Sequence, residues 1–550
     1  MLGLDGATLD VVRPLAAAGR LPTLARWLAA GAASPIASTV PPMSFPAWST
    51  FATGLGPGEH GIFDFTQKLP GAYRLRFVNA ADRAGETIFG RASRAGARVL
   101  CLGVPATYPP ERVNGLLVSG FDAPVSRGTD DRHASDPALY RRVASVAGPW
   151  MTADLDETAA GDGWHERAIG VLLARIERKT RFAEEALRAV RAAHPDAESE
   201  LACVVFSESD TVAHHYWRDF DAASPRHDPA ASAARREALP AVYARLDDAC
   251  ARLHAAAGED ALVLVVSDHG SGGASHRIVH LGRRLAETGL LRRRPARTGA
   301  ALDALARTAR DTALRLLPAA AAERLFRRAR GAAARVESAA RFGGIDWARS
   351  AAFTEDVNTQ PGVWINLRGR EAEGAVDPAD YERARQEAID ALLDWKLPGG
   401  GPVVARARRR EEVYVGPFAG RAPDVVVELA QDHGYGLSAV PTPWREGGGP
   451  SVRALAPEEW GGGRGRGMNG THRPDGLAIA ADPASAEAFG LFGGAHAPRL
   501  ADVAPAILRA LGVAAGASAP GAAPGPASAP YGADDEAVIA ARLRALGYLE

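Results

Sequence analysis

The chain has 550 residues, of which 47% are hydrophobic and 23% are charged, so it can bury a large core in one elaborated domain or in two. Its 64 basic and 65 acidic side chains give a formal charge of −1, which argues against a dedicated nucleic-acid-binding protein and an acidic disordered chain. The 3 cysteines are too few for a disulfide framework, and no apolar run reaches the roughly 20 residues of a membrane span. We therefore expect buried thiols in a cytoplasmic protein.

Short apolar runs that end in polar or glycine-rich turns recur along the chain and predict β-strands. They cover residues 1–4, 99–104, 116–119, 202–206, 261–266, 363–367, 425–429 and 477–480. Patterns typical of helices separate several of these runs, over residues 22–30, 165–193 and 241–257. This alternation predicts an α/β fold with a mostly parallel central sheet.

The composition changes after residue 280. Residues 281–341 contain fifteen arginines and five acidic residues, with apolar positions at approximately helical spacing, so we predict a helical insertion that covers the core. The predicted organisation is a first core part over 1–280, an arginine-rich helical lid over 281–345, a second core part over 346–512, a low-complexity linker over 513–531 and a C-terminal helix over 532–550. The lid arginines form a solvated face, or else they attract an anionic substrate or contact acidic lipid.

Polar side chains follow several predicted strands, and in a parallel sheet the carboxyl ends of the strands are where chemistry gathers. Asp5 follows the first run, and Asp268 and His269 follow the run over 261–266. Asp210 and His214 are four residues apart, which places both side chains on one face of a helix, where they could bind one metal ion. The ordinary alternative for an isolated aspartate is a turn or a helix cap.

Two further candidates lie outside these strand ends. Ser44 lies between prolines, and its ordinary role would be the N-cap of a helix over 47–53. His472 lies in a glycine-rich segment over 461–472, which could otherwise be a flexible loop. Together these places hold the residue types that bind two divalent metals and activate a hydroxyl group. The full set is Asp5, Ser44, Asp210, His214, Asp268, His269 and His472.

Five motifs occur in a defined order along the chain. They are GLDGA, PPMSFPAWSTFATGLGPGEHGI, SDTVAHHYW, SDHG and GTHRPDG. In this order they resemble the alkaline phosphatase superfamily, in particular its type I phosphodiesterase/nucleotide pyrophosphatase branch. The resemblance extends over most of the chain outside the arginine-rich insertion and the tail. It implies an alkaline-phosphatase-like core, with a mostly parallel central sheet flanked by helices.

The resemblance also implies a role for each motif residue. It makes Ser44 the nucleophile of a metal-dependent phosphoric ester hydrolase, a phosphodiesterase or phosphatase that acts on an anionic phosphate ester through a phosphoseryl intermediate. One ion would lower the pKa of the nucleophile, and the other would stabilise the leaving oxygen or prepare a water. Mixed aspartate and histidine ligation favours zinc, with manganese as the alternative. The first ion is assigned to Asp5, Ser44, Asp268 and His269, and the second to Asp210, His214 and His472.

Three positions depart from related patterns. Phe65 stands where nucleotide pyrophosphatases carry an asparagine that contacts phosphate, and a phenylalanine cannot donate that hydrogen bond. Ser44 replaces the threonine usual in that branch, as in the superfamily's phosphatases and metal-dependent phosphomutases. Trp48 stands where a sulfatase needs arginine, which argues against a sulfatase. A phosphomutase with the same metals and a non-catalytic metalloprotein that binds phosphorylated ligands remain as alternatives.

Overall fold

The computed structural model describes residues 1–123, 131–151, 155, 163–294, 338, 341–444, 449–460, 468–514, 535–536, 538–540 and 543. Almost all of the predicted linker, and most of the predicted lid and C-terminal helix, lie outside the described residues. The same holds for the first part of the glycine-rich segment that precedes His472. The domain boundaries given above therefore stay a prediction.

The strands among the described residues belong to four sheets. They are β1 (Leu2–Leu4), β2 (Ala32–Ala37), β3 (Thr66–Lys68), β4 (Leu75–Phe77), β5 (Arg98–Leu102), β6 (Gly115–Val118), β7 (Glu200–Phe206), β8 (Leu264–Val266), β9 (Gly270–Val279), β10 (Ala352–Phe353), β11 (Gly362–Ile365), β12 (Val404–Arg409), β13 (Val425–Leu429), β14 (Gln431–Asp432), β15 (Tyr435–Ala439), β16 (Val452–Ala454), β17 (Gly470–Arg473) and β18 (Asp475–Ala480).

Helices connect most of these strands. They are α1 (Leu9–Ala17), α2 (Pro22–Ala30), α3 (Ser44–Thr53), α4 (Pro57–His60), α5 (Ile88–Arg94), α6 (Pro137–Ala147), α7 (Trp164–Ala193), α8 (Glu208–Phe220), α9 (Ala233–Ala257), α10 (Leu281–Glu287), α11 (Tyr381–Leu393), α12 (Arg410–Val413), α13 (Pro483–Phe489) and α14 (Val503–Ala510). None of the helices in this part of the chain is long and apolar enough to cross a membrane.

The central sheet has seven strands in the order β2-β18-β8-β1-β7-β5-β6. The five strands from β8 to β6 run parallel to one another, whereas β18 is antiparallel to both of its neighbours. The prediction of an α/β fold with a mostly parallel central sheet is thus confirmed.

Helices cover both faces of the central sheet. On β5, Leu100 and Leu102 pack in one apolar cluster with residues of α1, α7, α8 and α9. The alternate residues Val99 and Cys101 pack in another cluster with residues of α3, α5 and α14. A strand buried on both faces has an uninterrupted apolar sequence, which is why these strands could be recognised without alternation.

The runs over 363–367 and 425–429 form strands, as predicted, but these strands lie outside the central sheet. They form β11 and β13 of a separate antiparallel sheet in the order β10-β11-β13-β12. A third sheet contains β14, β15, β9 and β16, with β17 also paired to β9. An apolar run indicates a buried strand but does not specify its partner, since pairing depends on residues far away in the sequence.

The predicted helix boundaries agree with the structure to different degrees. The helix over 22–30 is α2 as predicted, and α7 begins at Trp164, next to its predicted start. The third helix, α9, was predicted over 241–257 but spans Ala233–Ala257, with Pro240 inside it. It begins earlier because Ser232 caps it, its hydroxyl accepting a hydrogen bond from the Arg235 amide at 3.3 Å.

A buried ion cluster fixes the start of α8. Glu208, the first residue of α8, has 0% exposure and follows Ser207, the one residue between β7 and α8. Its carboxylate lies 3.2 Å from Arg175 Nε and 2.9 Å from Lys179 Nζ, both on α7. These two cations hold the pKa of Glu208 below its ordinary value although burial acts in the opposite direction.

Replacement of Glu208 by glutamine is expected to destabilise the protein. Removing one charge from a buried ion cluster costs about 3–5 kcal/mol because the remaining charges stay buried. The matched control is Glu185→Gln on α7, whose partner Arg188 has a side chain that is 70% exposed. Loss of this surface pair should cost less than about 1 kcal/mol. Urea denaturation measures both changes, and equal losses in the two variants would contradict the expectation.

Candidate metal centre

The candidate metal centre lies at one edge of the central sheet, where β1, β7 and β8 run side by side and their carboxyl ends meet. Asp5 follows β1, and Asp268 and His269 follow β8, all three being buried at 0–1% exposure. Asp210 lies in the first turn of α8, which begins after β7. Strand order therefore brings together side chains from three distant parts of the chain.

Ser44 lies at the same edge of the sheet. It is the first residue of α3 and is 1% exposed. Its hydroxyl donates to Asp5 Oδ1 at 3.5 Å and lies 3.5 Å from His269 Nε2. The alternative that Ser44 caps a helix over 47–53 is wrong, because Met43 is the N-cap and the Ser44 hydroxyl is directed into the site.

The first group of potential ligands consists of Asp210, His214 and His472, whose ligand atoms lie within 4.8 Å of one another. Asp210 Oδ1 is 3.2 Å from His214 Nε2 and 3.5 Å from His472 Nε2. The two imidazole Nε2 atoms are 3.0 Å apart. His472 comes from β17 rather than from a loop.

The second group consists of Asp5, Asp210 and His269, again within 4.8 Å. His269 Nε2 lies 3.6 Å from Asp5 Oδ1 and 3.3 Å from Asp268 Oδ2. The rings of His269 and His472 stack with centroids 3.8 Å apart, which joins the two groups. Asp210 belongs to both groups, whereas the sequence placed it with one ion alone. All the side chains predicted from the sequence thus lie in one place, and their roles remain a prediction.

All three imidazole rings of the site direct their Nδ1 atom toward a backbone carbonyl oxygen. The Nδ1 atoms lie close to backbone carbonyls, His214 to Gly470 O at 3.0 Å, His269 to Gly270 O at 3.0 Å and His472 to Pro42 O at 2.8 Å. A carbonyl only accepts hydrogen bonds, so each Nδ1 carries the proton, and Nε2 of a neutral ring presents a lone pair to the site.

Burial and neighbouring charges shift the pKa values of the carboxyl and imidazole groups in the site. Burial, together with the charges of Asp268 and Asp210, raises the pKa of Asp5 well above its ordinary range. Burial likewise raises the pKa of Asp268 to about 8 and lowers the pKa of His269 to about 3. For Asp210, the neighbouring His214 and His472 outweigh burial and hold the pKa well below its ordinary range.

This donor set fits divalent metal ions. Imidazole lone pairs and carboxylate oxygens face one another at 3.0–3.6 Å, an arrangement that is unfavourable unless positive charge lies between them. Each imidazole has a carbonyl partner behind it, as metal-ligating histidines have. Nitrogen and carboxylate ligands together suit zinc and other first-row metals.

Several supporting residues were not found from the sequence. Trp48 Nε1 donates to Asp5 Oδ2 at 3.0 Å, and Ser209 Oγ donates to Asp5 O at 2.6 Å. Gly6 has φ +66°, and a Cβ there would lie 2.7 Å from Asp210 Oδ1, so only glycine leaves room for that carboxylate. The serines next to the acidic motifs were a weak signal, because serine is common in turns.

Phe65, which stands where nucleotide pyrophosphatases carry an asparagine, packs next to the serine of the site. Phe65 packs on Phe45 with ring centroids 4.4 Å apart, and Phe45 directly follows Ser44.

Asp64, the residue before Phe65, is buried and accepts hydrogen bonds from the Phe65 amide at 2.6 Å and from Thr359 Oγ1 at 2.9 Å. Burial raises the pKa of Asp64 from 3.8 to about 7, although Arg341 opposes the rise.

This pKa predicts a pH-dependent stability. Between pH 3.8 and about 7 the unfolded chain has lost the Asp64 proton while the folded protein still holds it, so ionisation favours unfolding. The destabilisation grows as the pH rises through this window and is complete above the folded pKa. A tenfold difference in proton affinity is worth about 1.4 kcal/mol, so the total reaches up to about 4 kcal/mol.

Asp64→Asn should remove this dependence. The free energy of unfolding of the variant, minus that of the wild type, is expected to increase from pH 4 to pH 8, as measured by urea denaturation. Asp82→Asn, at a partly exposed aspartate paired with Arg76, serves as the control. A difference that stays constant with pH would show that Asp64 has an ordinary pKa.

The fold and site together define an α/β protein with two adjoining groups of potential metal ligands beside a serine hydroxyl. Residues 1–439 match the family model "Type I phosphodiesterase / nucleotide pyrophosphatase", and the chain belongs to this family. The sequence-based identification of the family is therefore confirmed. No curated protein sequence matches the chain.

Solved structures with similarity to this chain include two enzymes. One is phosphonoacetate hydrolase from Sinorhizobium meliloti 1021 in complex with phosphonoformate, with 15% identity over 92% of this chain and 94% of that chain, at a TM-score of 0.48. Another is murine ectonucleotide pyrophosphatase/phosphodiesterase 5 in an inactive form with AMP, with 12% identity over 94% of this chain and 95% of that chain, at a TM-score of 0.41.

Proposed function

We propose that the protein is a two-metal phosphoric ester hydrolase that works through a phosphoseryl intermediate on Ser44. The observation that carries this proposal is the position of the Ser44 hydroxyl, 3.5 Å from both Asp5 Oδ1 and His269 Nε2. A buried serine hydroxyl among carboxylates and imidazoles has the surroundings of an activated nucleophile. Family membership supports the same reaction class.

In the proposed reaction, Ser44 Oγ attacks the phosphorus atom of the ester. As the new Oγ–P bond forms, the bond from phosphorus to the leaving oxygen breaks, and the serine proton ends on the released alcohol. Water then cleaves the Oγ–P bond, which releases the phosphate product and restores the Ser44 hydroxyl. Asp5 orients the hydroxyl by accepting its hydrogen bond, and Trp48 in turn orients Asp5. Divalent ions held by Asp5, Asp268 and His269 and by Asp210, His214 and His472 would supply positive charge for the phosphate and for the attacking and leaving oxygens.

The three cysteines are evidence for the cellular compartment of the protein. Cys101, Cys203 and Cys250 are buried free thiols, and burial raises the pKa of Cys203 to about 12. Such thiols are unreactive and need no oxidising environment. They support placement in a reducing compartment, the cytoplasm, which fractionation of cells expressing the full chain would test.

The experiment is an assay of purified protein, stripped with chelator, against aryl phosphate monoesters and diesters with added zinc or manganese. Metal-dependent release of the aryl alcohol is expected, and the faster substrate class identifies the preference. Free phosphate from the monoester indicates a hydrolase, whereas transfer to a bound product without free phosphate indicates a phosphomutase. Metal binding without turnover on any ester would overturn the proposal in favour of a non-catalytic metalloprotein.

A further inference from the structure

Strand β17, which carries His472, is attached to helix α8, which carries His214. The backbone amide of Asn469 donates to His214 O at 2.8 Å, and Asn469 Nδ2 donates to His215 O at 3.2 Å. His214 Nδ1 lies 3.0 Å from Gly470 O, and a Cβ at Gly470 would lie 2.4 Å from Ala213 O. The strand therefore approaches the helix backbone as closely as a glycine permits.

The side chain of Arg226 binds the residues that directly precede β17. It lies in the segment between α8 and α9 and has 0% exposure. Its Nε and Nη2 donate to Ser275 O on β9 at 2.8 and 2.5 Å, and its Nη1 donates to Met468 O at 2.9 Å and lies 3.4 Å from Asn469 Oδ1. Because β9 pairs with β17, one planar guanidinium connects both strands at the start of β17.

The connection matters because His214 Nε2 and His472 Nε2 are only 3.0 Å apart and face Asp210 Oδ1. Two neutral imidazoles repel each other when their lone pairs point at the same place, so the rings would separate if β17 could move from α8. Ligands that are already in place lose less freedom on binding an ion, which increases affinity.

We propose that Arg226 and Asn469 are positioning residues that set the metal affinity of the group formed by Asp210, His214 and His472. The inference rests on the proposed function, since it concerns the ions of the same site. The hydrogen bonds described for both residues go to atoms other than the Nε2 atoms of the ligands. Most of them go to backbone carbonyls, and the planar fork of arginine cannot be replaced by the single ammonium of lysine. Changes in the partners that orient metal ligands typically cost 10–100-fold in metal affinity.

The test compares Arg226→Lys, Arg226→Met and Asn469→Ala with wild type. Zinc dissociation constants are measured by chelator competition, and urea denaturation in chelator measures the stability of the metal-free protein. The matched control is Arg284→Met, since Arg284 Nε and Nη2 on α10 donate to Ala391 O on α11 at 3.0 and 2.7 Å, and neither helix carries a candidate metal ligand. We expect about 10–100-fold weaker binding of one zinc ion in the Arg226 and Asn469 variants.

Arg284→Met should lose stability but bind zinc as wild type does, which separates positioning from a general loss of folding. Asn469→Ala keeps the buried guanidinium and so tests the inference if an Arg226 variant does not fold. Zinc affinities within about threefold of wild type in folded Arg226→Lys and Asn469→Ala would overturn the inference while leaving the proposed function intact. A wild-type protein that binds no zinc or manganese would overturn both.

Discussion

Replacement of Ser44 by alanine is expected to reduce turnover of phosphate esters by about 10³-fold or more while the protein stays folded. The hydroxyl is the only group removed, and the remaining ligands are supplied by other elements. A buried serine contributes little volume, so the change should leave α3 and its packing intact. The measurements are kcat with an aryl phosphate and zinc content by chelator competition, and the variant should retain metal.

The same experiment distinguishes a serine nucleophile from direct attack by water. In wild type, rapid acid quench during turnover should yield a phosphorylated peptide containing Ser44, and the alanine variant should yield none. The matched control is Ser49→Ala on the same helix, whose buried hydroxyl has no hydrogen-bond partner among the described residues and should be dispensable. Near-normal turnover in Ser44→Ala would contradict the proposed nucleophile.

Replacement of Asp210 by asparagine is expected to weaken zinc binding more than any change around the ligands. Its carboxylate belongs to both groups of potential ligands and lies 3.2 Å from His214 Nε2 and 3.5 Å from His472 Nε2. The amide keeps the shape but removes the negative charge that offsets the charge of the ion. We expect the dissociation constant to rise beyond the 10–100-fold typical of residues that only orient ligands.

Asp221→Asn provides the control for this change. Asp221 caps the other end of α8 and accepts a hydrogen bond from Tyr435 OH at 3.0 Å, outside both ligand groups. Its asparagine variant should bind zinc as wild type does. Turnover should follow metal content, so activity of Asp210→Asn should recover in part at high zinc concentration. Unchanged zinc affinity in Asp210→Asn would show that the ions, if bound, lie elsewhere.

Parts of the site could be predicted because their geometry is local. Asp210 and His214 share one face of α8 because four residues make about one helical turn. Asp268 and His269 follow an apolar strand, so the edge of the sheet was the expected place for them. By contrast, no local sequence pattern indicated that Asp210 adjoins both ligand groups. None indicated that Asn469 hydrogen-bonds to the backbone of α8 or that Arg226 binds the residues before β17. Those contacts join segments with no common local pattern.

The sequence by itself indicated several of the buried strands and helices, and the order of the motifs identified the family. Burial and periodicity are properties of short segments, so they can be read before the chain is folded. Only the tertiary structure decided that β11 and β13 form their own antiparallel sheet and that His472 meets His214 across a separation of 258 residues. The physical reason is that strand pairing and side-chain contact depend on where distant segments pack, and that choice is made by the whole core.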